Sequence, residues 1–220
     1  MKAFISVFKK DIKSEIRTRY SISAILLFIL TSSSIIGFSV AGTKLDEKLA
    51  SALLWVIMFF TSMIGLSKSF VSEEERGTIM LLKLYTSSSS VYFGKLLFNI
   101  VLCAIINLFA SMLFLLFINQ IELRSLSIFF TSIILGSVAI GSASTIISAI
   151  ISKANVKNAI FPVLSFPIML PIILSGLEAT RLSFESTSLF EASSLFFQMI
   201  AFTIAIISIS YVLFGFVWNE

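Results

Sequence analysis

Long apolar blocks separated by short polar stretches are the dominant pattern of this chain of 220 residues. A helix lengthens by about 1.5 Å per residue, so roughly 20 apolar residues are needed to cross a bilayer. Six blocks have that length, although the second and the fifth only just reach it. They lie at about residues 21–42, 49–66, 91–118, 126–151, 159–177 and 195–217. The pattern predicts an all-α integral membrane protein with six transmembrane helices in one membrane domain, residues 1–220.

The first 20 residues combine basic side chains with apolar residues at every fourth position. The apolar positions are Phe4, Phe8, Ile12, Ile16 and Tyr20. This spacing places them on one face of a helix, which is typical of a helix that lies in the membrane interface. A cleaved signal peptide is the competing interpretation, but the charged region is long and no small-residue cleavage site follows. We therefore predict an uncleaved amphipathic interfacial helix over residues 1–20.

The longest polar interruption after this N-terminal segment covers residues 72–90, between the second and third spans. Three glutamates open it, and we expect them to begin a helix, because a helix N-terminus favours negative charge. Gly77 interrupts the pattern, and the apolar residues Ile79 and Leu82 then recur at helical spacing before a run of four serines. A charge run is usually a solvated loop, but a mere linker does not need an adjoining amphipathic helix.

We interpret residues 72–90 as a cytoplasmic coupling segment, which lies on the membrane surface and docks a partner protein. The residues assigned to this contact are Glu73, Glu74, Glu75, Arg76, Gly77, Ile79 and Leu82. In this interpretation, the rest of the chain is a membrane bundle that the partner drives.

The distribution of lysine and arginine predicts the orientation of the chain. With the N-terminus inside, the cytoplasmic stretches hold twelve of the 16 basic residues and the opposite side holds four. Basic stretches tend to stay in the cytoplasm, so both termini and the coupling segment are predicted to lie there. The same stretches account for the net charge of +4, and no nucleic-acid partner is expected.

Composition and missing residue types argue against most catalytic chemistry. Hydrophobic residues make up 57% of the chain and charged residues 13%, whereas soluble proteins average about 25% charged. The chain has no histidine, its single cysteine, Cys103, lies in an apolar block, and it contains no P-loop or zinc-ligand spacing. Lys95, near the start of the third block, is counted with the loop residues, so the interiors of the six blocks carry no charge, which argues against a proton-coupled carrier. We expect a non-catalytic membrane subunit without a metal.

Small residues crowd the fourth block. Ser137, Gly141 and Thr145 recur every four residues, so they share a helix face that another helix can approach closely. That other helix could belong to the same bundle or to a second copy of the chain in a dimer. The pattern leaves both interpretations open.

All three prolines of the chain, Pro162, Pro167 and Pro171, fall in the fifth block. Each removes a backbone donor and disturbs the preceding turn, so we expect a kinked or broken helix. The kink could be static, as in many membrane helices, or it could be a hinge that moves during a transport cycle. The acidic stretch that follows, residues 178–194, is predicted to be an outer loop containing a short helix.

Short motifs along the chain resemble those of the ABC-2 type permeases. The matching residues are Glu75-Arg76-Gly77-Thr78, Leu81-Leu82-Lys83-Leu84 and Gly94-Lys95. The compact length, Leu53-Leu54-Trp55 at the second span and the proline-rich fifth span are similar to the CcmB family, which are haem exporter proteins of cytochrome c maturation. Four serines at 87–90 replace the Ser/Pro-Leu turn that is usual there.

The resemblance implies partners rather than a catalytic site. It implies a homodimer on two copies of a CcmA-like ATPase, with CcmC-like and CcmD-like membrane subunits, in a bacterial inner membrane. ATP would bind to the ATPase, and its hydrolysis would be tied to haem export or to periplasmic release of a haem-loaded, CcmE-like chaperone. Haem would be cargo of the complex, with no cofactor expected on this chain. Two alternatives stay open: a general ABC-2 exporter permease for a lipid, drug or polysaccharide, and a membrane scaffold without a transport cycle.

Overall fold

The computed structural model describes residues 2–17, 19–43, 45–118, 121–153, 157–185 and 187–219, which form helices and connecting turns without a strand. The helices are α1 (Lys2–Arg17), α2 (Arg19–Ser39), α3 (Glu47–Leu66), α4 (Lys68–Glu75), α5 (Ile79–Tyr85), α6 (Ser88–Phe117), α7 (Leu126–Ser152), α8 (Lys157–Phe184) and α9 (Leu189–Asn219). Within these residues, six stretches are long and apolar enough to span a membrane, which confirms the predicted all-α membrane fold. They are Ser21–Ser39, Glu47–Glu75, Ser88–Phe117, Leu126–Ser152, Ile160–Phe184 and Leu189–Trp218.

The most buried spanning helix is α7, which contacts α6, α8, α9 and α4. The small residues of α7 allow its neighbouring helices to approach it closely, so it can occupy this central position. A Cβ atom on Gly141 would lie 2.9 Å from the Cα atom of Ile100, so α6 can pack this closely only against a glycine. On either side of Gly141, Ser137 and Thr145 are fully buried in the same contact. The small-residue face of the fourth span therefore packs within its own bundle rather than against a second copy.

Two asparagines of α6 bind this face of α7. Asn107 donates from Nδ2 to the Ser137 hydroxyl at 3.1 Å, and Asn99 donates to the Thr145 hydroxyl at 2.9 Å. A polar group without a partner is costly in an apolar interior, so these bonds favour one register between α6 and α7. Cys103 lies between the two asparagines on α6 and is fully buried, as its apolar surroundings in the sequence predicted.

Trp55 of α3 joins three helices at the end of the bundle opposite α5. Its indole Nε1 donates to the Thr180 hydroxyl of α8 at 2.9 Å, and Thr180 is 3.2 Å from the Ser132 hydroxyl of α7. Gly136 and Gly176 leave room for the ring, because a Cβ atom on them would lie 2.3 Å and 2.0 Å, respectively, from indole atoms. The indole therefore fixes the relative positions of α3, α7 and α8.

The predicted end of the fifth span at residue 177 and the short outer helix within 178–194 are wrong. Instead, α8 continues to Phe184 and α9 begins at Leu189. The charges that suggested a loop compensate one another on the helix, since Arg181 forms ion pairs with Glu178 at 2.6 Å and with Glu185 one turn later. The last turn of α8 is also held by the backbone amide of Ser125, which donates to the Ser183 carbonyl oxygen at 2.9 Å.

The proline-rich helix is not broken. Pro162, Pro167 and Pro171 all lie within the continuous helix α8. The rings of Pro167 and Pro171 are exposed, and each proline leaves the carbonyl oxygen four residues earlier without its helical donor. Whether this helix bends during a transport cycle stays a prediction.

Candidate coupling site

The coupling segment forms two short helices, α4 and α5, joined by a tight turn at Gly77. Gly77 has a φ angle of 67°, which is in the left-handed region that favours glycine. Its amide donates to the Glu74 carbonyl oxygen at 3.0 Å, and the amide of Thr78 donates to that of Glu73 at 3.0 Å. This pair of bonds is the Schellman pattern that ends a helix at a glycine. The predicted break at Gly77 is confirmed.

The predicted position of the three glutamates at a helix N-terminus is wrong. Glu73, Glu74 and Glu75 form the last turn of α4, where the helix dipole disfavours negative charge. Glu73 is instead stabilised by side chains from elsewhere in the chain. Its carboxylate forms an ion pair with Lys10 of α1 and lies 3.6 Å from Nζ of Lys95 in α6.

Lys95 is the centre of a group of charges, the ion cluster, which consists of Lys10, Asp11, Glu73 and Lys95; all but Lys10 are largely buried. The Lys95 side chain is only 1% exposed, and its Nζ atom lies 3.2 Å from Oδ2 of Asp11. It also donates to the Ser69 carbonyl oxygen at 2.6 Å. The cluster holds two positive and two negative groups, so burial leaves no charge unbalanced.

Gly94 allows α1 to lie close enough for this contact. A Cβ atom at Gly94 would lie 2.9 Å from Cβ of Val7 and 3.1 Å from the carbonyl oxygen of Phe4. The Gly94-Lys95 pair therefore has a structural role in this chain: the glycine admits α1, and the lysine binds the acidic residue on it. The ion cluster consequently joins three elements, α1, α4 and α6.

The roles of Lys10 and Asp11 were not predicted from the sequence, and Lys95 was expected to lie in a loop. Two features of the sequence point to these residues in retrospect. Lys95 already lies within an apolar run, and Asp11 is one of only two acidic residues in the basic N-terminal segment. Neither feature identifies the partner of the other, because the two residues are 84 positions apart.

A second contact holds α4 against the central helix. The amide of Phe70 in α4 donates to the Ser148 hydroxyl of α7 at 3.1 Å, and that hydroxyl donates to the Ser67 carbonyl oxygen at 3.4 Å. Ser67 is the residue between α3 and α4, where it ends the first helix and begins the second. The start of α4 is thus fixed to α7, and its end is fixed to α1 and α6.

The side chains that α5 exposes are not the ones that the helical spacing suggested. Leu82 is half-buried and packs against the core, and Ile79 is also half-buried, so neither presents its full side chain to a partner. The exposed apolar side chains are Met80 at 75%, Leu81 at 56%, Leu84 at 75% and Tyr85 at 84%. Lys83 lies 5.7 Å from the centroid of the Trp218 ring of α9, which further holds α5 to the bundle.

The acidic residues assigned to the partner contact also separate into two groups. Glu73 is buried in the ion cluster, while Glu75 and Arg76 are exposed beside the Gly77 turn. Glu74 is half-buried, and one of its carboxylate oxygens has no hydrogen-bond partner among the described residues. Only part of the assigned set is therefore available to another protein.

An open groove of about 560 Å³ runs between α1 and the two short helices. Three members of the ion cluster, Lys10, Asp11 and Glu73, line this groove, and so do Leu81, Leu82 and Tyr85 of α5. Burial raises the pKa of Glu15 in this groove; the positive charge of Lys68 opposes the effect and the negative charge of Asp11 adds to it. No set of three or more potential metal ligands occurs within the described residues.

Comparison with known families identifies the chain. The profile of the CcmB protein family matches residues 2–214, which is nearly the whole sequence. A comparison with curated proteins gives no match. Six apolar helices agree with the multi-pass membrane character of this family. The chain therefore belongs to the CcmB protein family, whose members are membrane permease components of haem-export ABC systems.

Proposed function

We propose that this chain couples ATP hydrolysis by a separate, CcmA-like ATPase to a haem-handling step on the far side of the membrane. That step is haem export or release of a haem-loaded, CcmE-like chaperone during cytochrome c maturation. Haem is the cargo, and ATP is bound by the partner. Family membership favours this function over a general exporter permease or a static scaffold.

The proposal requires the coupling segment to face the cytoplasm of a bacterium, at the inner membrane. The distribution of basic residues supports this orientation. Lys95 lies inside the bundle, so it no longer counts as a loop residue, but the bias remains eleven to four without it. In this orientation, α1, α4 and α5 lie at the cytoplasmic end, and the turn between α8 and α9 faces the periplasm.

The exposed face of α5 supports a contact with the ATPase. Met80, Leu84 and Tyr85 form an apolar surface on a helix of seven residues, beside the exposed charges of Glu75 and Arg76. An apolar anchor surrounded by charged side chains is the usual composition of a protein contact that carries affinity at its centre. We therefore place the docking anchor on Leu84 and Tyr85, rather than on Ile79 and Leu82.

The observation that carries the proposal is the ion cluster. A partner that moves α5 also moves Glu73, because only the Gly77 turn separates them. Glu73 binds Lys10 and lies beside Lys95, so displacement of the two short helices pulls on α1 and on the third span. A solvated loop would not transmit force in this way. A homodimer with CcmC-like and CcmD-like subunits completes the proposed assembly.

Co-purification of the ATPase tests the docking surface. In the double variant Leu84→Asp/Tyr85→Asp, we expect recovery of the ATPase with the membrane subunit to fall at least tenfold, since truncating a central anchor costs about 2 kcal/mol or more. The matched control is Ser87→Asp, which adds a negative charge two residues later and keeps the apolar surface. Wild-type recovery with the double variant would contradict the proposed surface.

A further inference from the structure

A second group of basic side chains lies beside the ion cluster; it shares Lys10 with that cluster and also contains charges that the proposed coupling does not use, Lys13 and Arg17. Lys10, Lys13, Ser14 and Arg17 of α1 and Arg76 of the Gly77 turn line an open pocket of about 490 Å³. We call it the basic pocket. It brings together basic side chains from two elements that are far apart in the sequence.

The basic pocket contains more positive charge than the acidic residues paired with it compensate. Lys10 is paired with Asp11 and Glu73, and Lys95 forms ion pairs with the same two carboxylates, so these four charges balance one another. Lys13, Arg17 and Arg76 form no ion pair with any acidic residue in the described ranges. Three cationic side chains that face one pocket without an internal counter-ion favour an external anion with several oxygen atoms.

The pocket continues into an apolar crevice between membrane-spanning helices. Lys10, Ser14 and Arg76 line both the basic pocket and the groove between α1 and the two short helices. Ser21 and Lys68 line both that groove and a crevice of about 280 Å³. The apolar walls of the crevice come from α2, α3 and α8, and consist of Ala24, Phe60, Met63, Ile64 and Pro162. A path of connected cavities thus leads from exposed cations to an apolar slot.

We propose that this path binds an acidic phospholipid. Its phosphate and anionic headgroup lie among Lys13, Arg17 and Arg76, and one acyl chain lies in the crevice beside Ala24 and Phe60. Basic clusters on interfacial helices attract anionic lipids, and an apolar crevice at the same site requires a ligand with a hydrocarbon tail. An acidic protein segment would satisfy the cations but not the crevice. Ile16, which neighbours Arg17 and is 67% exposed, adds apolar surface at this level.

The bound lipid would connect the two parts of the chain that the ion cluster also connects. Arg17 is on α1, and Arg76 is on the turn between α4 and α5. A single headgroup that accepts hydrogen bonds from both would hold the turn against α1. The proposal does not depend on the ATPase, because the lipid contacts only this chain.

Thermal unfolding of the purified full-length chain in detergent tests the site. We expect dioleoyl-phosphatidylglycerol to raise the melting temperature of the wild-type chain, whereas dioleoyl-phosphatidylcholine and inorganic phosphate leave it unchanged. In Arg17→Gln/Arg76→Gln, the apparent Kd for phosphatidylglycerol should weaken roughly thirtyfold, as expected for the loss of two surface charges. Without lipid, this variant should melt with the wild type, because neither residue makes an ion pair with a described acidic residue.

Two further variants distinguish the site from general charge. Lys9→Gln/Lys153→Gln removes the same charge from residues that do not line the basic pocket, and it should keep the wild-type response. Ala24→Phe fills the crevice and should reduce the response to phosphatidylglycerol while leaving the cations in place. If Lys9→Gln/Lys153→Gln lost as much of the response to phosphatidylglycerol as Arg17→Gln/Arg76→Gln, the response would be nonspecific charge attraction. That result would overturn the proposal.

Two other results would also overturn it. Stabilisation by inorganic phosphate to the same extent as by phosphatidylglycerol would make the pocket a site for a free anion. An unchanged lipid response in Arg17→Gln/Arg76→Gln, together with loss of the co-purifying ATPase, would make the pocket a protein contact.

Discussion

The Nζ atom of Lys95 lies 3.2 Å from Oδ2 of Asp11, inside a bundle whose other contacts are largely apolar. This ion pair joins the third span to the N-terminal helix. Glu73, at the end of α4, lies 3.6 Å from the same Nζ atom. One lysine therefore holds together the interfacial helix, the coupling segment and a membrane span.

Removing one member of this buried pair should be more harmful than removing both. Asp11→Asn leaves the Lys95 ammonium group with less compensation, and loss of one partner of a buried ion pair costs about 3–5 kcal/mol. The double variant Asp11→Asn/Lys95→Met removes both charges and leaves Lys10 with Glu73. We expect thermal unfolding in detergent to show a large fall in melting temperature for Asp11→Asn and a smaller one for the double variant.

Glu122→Gln is the control for this cycle, because Glu122 is exposed and its ion pair with Arg124 has a separation of 3.9 Å. Exposed ion pairs of this kind contribute little to stability, so this variant should have the same melting temperature as the wild type. Strictly additive losses for Asp11→Asn and Lys95→Met would show that the two side chains do not depend on each other.

The glycines beside Trp55 should tolerate no side chain. A Cβ atom on Gly176 would lie 2.0 Å from the indole, so Gly176→Ala must displace the ring or α8. Overpacking of this kind typically costs about 1–3 kcal/mol. Gly215→Ala in α9 is the matched control, because nothing lies within 4 Å of its Cβ position. We expect a lower melting temperature for Gly176→Ala only; equal melting of the two variants would show that the indole contact is not tight.

The exposed prolines of α8 provide a test of bending. Pro167→Ala or Pro171→Ala restores a backbone donor and should straighten and stiffen this helix. If bending is part of the cycle, cytochrome c production should fall severalfold while the amount of assembled complex stays constant. Normal production by both variants would show that the prolines have only a static role.

The proposed orientation predicts which residues a membrane-impermeant thiol reagent can reach. In a Cys103→Ala background, a cysteine at Ser188, in the turn before α9, should react from the periplasmic side of intact cells. A cysteine at Ser87, in the turn before α6, should react only after the inner membrane is opened. The reverse pattern would invert the topology and place α5 out of reach of a cytoplasmic ATPase.

The sequence predicted those parts of the fold that depend on neighbouring residues. Each apolar block became a spanning helix, and Gly77 ends α4 because a left-handed residue at that position is a local requirement. The small-residue face at Gly141 was also visible, although its partner, α6 of the same chain, was not. Local patterns show which face of a helix packs, but not what it packs against.

The remaining errors arose from charges whose partners are elsewhere. Glu73 suggested a helix start, but Lys10 and Lys95 compensate it at a helix end. Glu178 and Arg181 suggested a loop, but they neutralise each other on α8. The apolar face of α5 was correctly expected, yet its inward side, Leu82, was assigned to a partner because spacing alone does not distinguish inside from outside.

The central claim is that the ion cluster transmits force from the docked ATPase to the bundle. Glu73→Gln tests it most directly, because Glu73 is buried and is not part of the exposed docking anchor at Leu84 and Tyr85. The measurement is the yield of mature cytochrome c, in cells where the variant's membrane level and ATPase co-purification are recorded in parallel. We predict that Glu73→Gln keeps wild-type ATPase binding, and that its cytochrome c yield, divided by its own membrane level, falls at least tenfold. A wild-type yield from this variant would contradict the claim.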